Sequence, residues 1–158
     1  MSEKPPSEVV FPLNIKGKWK AVLTDEDGNE KDQVEGYNLV VTNGVERLAQ
    51  FLMSANAAAT TFTFNYIGIG TDATGEVAGD TALGTELSRH TGIVSYISGA
   101  VFQVVATFAA GSGTGAIAEY GLFDANSGGT IFSRDTESVI NKGAGDTLTV
   151  TAQYTFTG

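Results

Sequence analysis

Polar and apolar residues alternate most regularly in residues 146–158, "DTLTVTAQYTFTG". Leu148, Val150, Ala152, Tyr154 and Phe156 fall on one side, and threonines with Gln153 fall on the other. A period of two places successive side chains on opposite faces of a strand, so this segment predicts a strand with one buried face. Threonine keeps the wet face β-prone without adding charge. The same alternation appears in "KGKWKAVLT" (16–24), where Lys16, Lys18 and Lys20 interleave with Gly17, Trp19 and Ala21. After the turn "DEDGNE", "QVEGYNLVV" (33–41) reads as the returning strand of a hairpin. Further strands are predicted at 61–70, with Phe62, Phe64 and Tyr66 on one side, and at 88–99, 100–110, 116–124 and 130–136. The clusters "GSGTG", "ANSGG" and "NKGAG" supply turns between them.

One segment changes period. In "TNGVERLAQFLMSAN", Val45, Leu48, Ala49, Leu52 and Met53 recur at helical spacing, with Asn43 as the expected N-cap and Glu46 in the capping-box position. An Ala/Thr linker follows it. Residues 71–86, "TDATGEVAGDTALGTE", read as a long polar loop with little apolar anchoring, the kind that is either functional or mobile. Short strands with Gly-rich turns and one helix predict a mainly β fold: an antiparallel β-sandwich, Greek-key or jelly-roll-like, with the helix packed across an end. No internal repeat of solenoid length stands out.

All three prolines, Pro5, Pro6 and Pro12, lie in residues 1–14, which favours an extended N-terminal arm followed by a single sandwich domain over 15–158. Val9, Val10, Phe11 and Leu13 give the arm an apolar tip and, with Trp19, are the expected partner contacts. The three lysines opposite Trp19 suggest an edge strand whose charge discourages pairing with other sheets.

Composition narrows the chemistry. At 158 residues, one core is expected. Eighteen acidic against nine basic residues give a net charge of −9, which opposes binding to a phosphate backbone. Without cysteine there is no disulfide framework, thiolate metal site or cysteine nucleophile. No apolar run has the length of a signal peptide or of a membrane-spanning helix, so the expectation is a chain made and kept in a cytoplasm, with no membrane and no nucleic-acid partner.

Candidate catalytic patterns are sparse. His90, the sole histidine, has no acid beside it in "LSRHTG" and reads as an ordinary strand-edge residue. "DEDGNEKD" (25–32) has the carboxylates of a calcium loop but puts Gly28 fourth from Asp25, where an EF-hand needs it sixth. "GIGTDATG" and "GSGTGA" lack the Lys-Ser/Thr of a phosphate loop and read as turns. A carboxylate pair for glycoside hydrolysis is defined in space, and eighteen acids single out none. No catalytic residue, cofactor or metal is expected, and an enzyme is the least favoured class.

Across residues 37–157 the order of segments "YNLVVTNGVERLAQFL", "YIGIGTDAT", "DTALGTELSR", "GTGAIAEYGLFDANSGGTIFSRDT" and "INKGAGDTLTVTAQYTF" resembles small virion structural proteins of tailed bacteriophages. The resemblance implies a non-enzymatic part assembled into the virion in the host cytoplasm. The first expectation is a capsid decoration or cement protein. It would bind the major capsid protein or other virion proteins through its arm and sandwich edges, as a homo-oligomer with a trimer favoured. The alternative is a tail-fibre or baseplate component that touches host glycans through the 71–86 loop and the turns near 111–115 and 125–129.

Overall fold

The computed structural model describes residues 13–53 and 63–158. The chain order is β1 (Asn14–Thr24), β2 (Glu30–Val40), α1 (Thr42–Met53), β3 (Tyr66–Gly70), β4 (Glu86–Thr91), β5 (Ile93–Ser98), β6 (Val101–Phe108), β7 (Gly115–Phe123), β8 (Ile131–Lys142) and β9 (Thr147–Thr157). All strand pairs are antiparallel, in one nine-stranded sheet of order β4-β3-β7-β8-β2-β1-β9-β6-β5. The mainly β, antiparallel architecture with one helix is the one the pattern predicts.

The two layers are halves of one sheet. Strand β2 belongs to both: residues 30–38 pair with β1, while Leu39 and Val40 pair with Arg134 and Ser133 of β8. The β2–β8 ladder is limited to these two residues, and the sheet curls. Residues from both halves then meet in one core that includes Trp19, Ile67, Val104, Ile117, Tyr120, Phe132 and Tyr154. In β9 the alternation holds: Leu148, Val150, Ala152 and Tyr154 are fully buried, and the threonines between them are half-buried.

Residues 88–99 differ from their reading as a single strand. The chain breaks at Gly92 into β4, which pairs with β3, and β5, which pairs with β6. The break is built on close approach. The Gly92 N–H donates to the Asn65 carbonyl at 2.6 Å, and a Cβ at Gly92 would press on the Val104 side chain. Strand β8 also runs past the predicted 130–136 to Lys142. Only 66–70 of the predicted 61–70 strand is extended in the sheet; 63–65 are irregular, and 61–62, like the Ala/Thr linker, lie outside the described residues.

The expected edge strand at 16–24 is an interior one, because β1 is hydrogen-bonded to β2 on one side and β9 on the other. Its lysines serve cross-strand pairing instead: Lys18 and Lys20 both reach Glu35 of β2, at 2.9 and 3.4 Å.

Helix α1 starts earlier than its Asn43 cap predicts. The Val41 carbonyl accepts the N–H groups of Gly44 and Val45, and the Thr42 N–H is taken by the Ala78 carbonyl. Neighbouring backbone therefore does the work assigned to Asn43. Gly44 sits so close to β8 that a Cβ there would overlap the Phe132 backbone.

Candidate functional site

The sequence gives the loop between β3 and β4 little apolar anchoring, yet buried charge holds it down. Glu119, on β7 in an otherwise apolar run, is fully buried. Its carboxylate accepts the backbone N–H groups of Asp72, Gly84 and Thr85 at 3.2, 2.8 and 2.7 Å. Arg134 of β8 donates to the same carboxylate from Nε and Nη2, at 3.1 and 2.9 Å. The guanidinium also reaches Asp80 at 3.1 Å and Asp72 at 3.5 Å. Burial opposes the charge on Arg134, but the Glu119 and Asp80 carboxylates outweigh it and lift its pKa above the ordinary value. Leu83 adds an apolar peg beside Phe123 and Ile131. Both charges are tied by several bonds, which suits a clasp.

A second brace holds the β7–β8 turn. Arg89 of β4 lies over the Phe123 ring at 3.4 Å and pairs with Glu86. It also donates to the Ala125 and Gly128 carbonyls at 2.9 and 2.8 Å. Gly128 and Gly129, at φ of 60° and 71°, supply the left-handed conformations of that turn.

His90 is half-buried at the end of β4, stacked on Phe108 with ring centroids 4.6 Å apart. Its Nδ1 lies 3.0 Å from the Thr107 carbonyl, which can only accept, so Nδ1 carries the proton of the neutral ring. Nε2 then accepts from the Ser112 hydroxyl at 2.9 Å. Both nitrogens are used in joining β4 to β6 and to the β6–β7 turn. In the Asp25–Asn29 turn, one Asp25 carboxylate oxygen accepts the N–H groups of Asp27 and Asn29. Among the described residues, no group of three or more His, Asp or Glu side chains is placed to hold a metal ion.

The interior contains a polar knot that the alternation did not reveal. The Tyr154 hydroxyl receives the Asn38 Nδ2–H at 3.0 Å and is hydrogen-bonded to the Ser133 hydroxyl. Around it, Trp19 Nε1, Tyr120 OH, Asn38 Oδ1 and Asp135 Oδ2 are buried without a hydrogen-bond partner among the described residues. Burial raises the Asp135 pKa to about 7, and the Glu137 and Glu76 carboxylates add to the rise. Burial likewise pushes the Tyr120 and Tyr154 phenols upward.

Two apolar clefts lie beside α1. One cleft, of about 310 Å³, is lined by Leu13, Ile15, Val40, Val45, Leu48 and Ala49. Another, of about 200 Å³, is lined by Leu48, Phe64, Val94, Phe102, Phe132 and Phe156, with Thr63 at its rim. Leu48 lines both clefts. Leu13 is 61% and Val45 50% exposed, so part of the predicted helix face is turned to solvent; the Leu52 and Met53 side chains lie outside the described set.

Of the expected partner contacts, Leu13 lies on this surface, and Val9, Val10 and Phe11 fall outside the described residues. Trp19 does not belong to it. Its side chain is buried to 2% exposure, 6.0 Å from the Tyr120 ring, because the odd positions of β1 face the core. Glu119 and Arg134 were not singled out in the sequence. The available signal was one acid in "AIAEYGLF" and one base in "TIFSRDT", opposite charges placed across a predicted hairpin.

Comparison with known proteins found no matching family model, no matching curated protein and no matching solved structure.

Proposed function

We propose that this chain is a non-enzymatic structural subunit of a tailed-bacteriophage virion, placed on the capsid exterior as a decoration protein. In this reading it binds major capsid protein or a neighbouring virion protein through the apolar surface around Leu48. The observation that carries it is that surface: two apolar clefts beside α1, both lined by Leu48. Contiguous exposed apolar area of this kind marks contact with another macromolecule. His90, Glu119 and Arg134 support the same reading, since each is engaged in structural bonds.

The test adds purified chain to particles lacking it. Val45→Glu, at a half-exposed position, is expected to abolish binding with an unchanged melting temperature. Binding equal to that of the original chain would refute the surface assignment.

A tail-fibre or baseplate location is the second reading, favoured by the braced loop at 71–85 and the braced turn at 125–129, which present fixed polar groups as a glycan-contacting surface does. Copy number separates the two. About one copy per capsid subunit is expected for decoration, and a few per particle would move the chain to the tail.

A further inference from the structure

Among the described residues the sheet has two edges, β4 and β5, and they differ in how they are guarded. Charged side chains usually guard such an edge, because its unpaired backbone groups are a template for another strand. Strand β4 carries Glu86 and Arg89, and its His90 is bonded to the β6 backbone. Among the described residues, strand β5, "IVSYIS", is paired only with β6, and it carries no charge.

Its apolar side chains are exposed on both faces: Ile93 75%, Tyr96 73%, Ile97 46% and Val94 45%. Tyr96 is held in place by its hydroxyl, which donates to the Gly99 carbonyl at 2.8 Å. From Thr91 to Ala118 the sequence has no charged residue, although the chain as a whole carries −9. Two copies therefore repel one another over most of their surface. β5 is the strand edge along which they approach without that penalty.

We propose that β5 pairs antiparallel with β5 of a second copy about a two-fold axis, which joins the two sheets edge to edge. An antiparallel strand paired with itself is isologous, so one uncharged patch serves both partners. Val94 and Tyr96 on one face, and Ile93 on the other, then pack against same-face β5 residues of the second copy as β-branched and aromatic cross-strand neighbours. The proposal does not depend on which particle the subunit belongs to.

The experiment uses the full chain in native mass spectrometry and sedimentation equilibrium over a concentration series, with amide hydrogen exchange on β5. The expected result is a dimer of twice the 16.4 kDa chain mass, with β5 amides that gain protection as dimer forms. Ile93→Glu/Tyr96→Glu puts acidic side chains of both copies on both faces of the joined edge and should raise the dimer dissociation constant about tenfold or more, since like charges on paired strands oppose pairing. Both positions are largely exposed, so the monomer fold should persist. Tyr96→Ser, without added charge, is expected to weaken the dimer to a lesser degree. Thr107→Glu places charge on the exposed face of β6 and should leave the dimer intact. A chain that stays monomeric at its highest soluble concentration overturns the proposal, as does a trimer, a dimer unaffected by the double substitution, or β5 protection already complete in the monomer.

Discussion

At Asp135 a carboxyl is folded into the sheet interior among Tyr120, Tyr154 and Ser133, and its pKa rises to about 7. The unfolded carboxyl titrates near about 3.9, so between these values the folded state holds a proton that the unfolded state has lost. Stability from this group is therefore full below pH 4 and declines as pH rises to 7. The decline amounts to about 2–4 kcal/mol, allowing for relaxation around the buried group. Tyr120, Tyr154, Glu137 and Glu76 surround it, with Asp32 also acting on Tyr120, and none is a cation. Asp25, Asp72, Asp146 and Glu35 have lowered pKa values, so their contribution is lost only on acidification below pH 4. Thermal melts from pH 5 to 8 should show wild-type stability falling, and Asp135→Asn should flatten that slope. Glu119→Gln should cost about 3 kcal/mol by leaving Arg134 buried without its main counterion, and should expose residues 71–85 to protease before the strands. Neither role was legible in the sequence, because Asp135 in "SRDT" resembles a surface acid, and the loop amides that Glu119 binds lie 34 to 47 residues away.

Among the elements, legibility followed how local the determining contact is. The β1–β2 and β7–β8 hairpins were readable because alternation and turn residues lie within the same short stretch. The break at Gly92 was not, since it depends on Asn65 and Val104, brought there by other strands. The helix period was visible, but not which way its apolar stripe would turn, and Val45 faces outward. The cap at Asn43 failed because Val41 and Ala78 carbonyls take the first N–H groups. Gly44 is the test of the α1–β8 contact. Gly44→Ala would improve helix propensity, yet it sets a methyl against the Phe132 backbone, which cannot rotate aside. A loss of about 1–3 kcal/mol in denaturant melts is expected, and a gain would mean the helix sits further from β8 than described.

For the whole molecule, strand order was the least legible property. β1 pairs with β2, its neighbour in sequence, and also with β9, more than a hundred residues away. No periodicity encodes that choice, which arises when the curled sheet must cover both faces of Trp19, Val104 and Tyr154 with one core. Replacing Tyr154 by Ala removes the residue that links this core to the polar knot, and should cost about 3–5 kcal/mol, read as a lower melting temperature with the same sheet signature in circular dichroism.

The position of β9 between β1 and β6 also governs the order in which the protein can be made. A ribosome delivers β1 and β6 well before β9, so during synthesis each has an open flank where β9 will later insert. The nascent chain is at its most adhesive just before residues 147–157 emerge, and insertion of this one strand closes both flanks together. Messages truncated before Thr147 should therefore yield a product that chaperones retain and proteases clear.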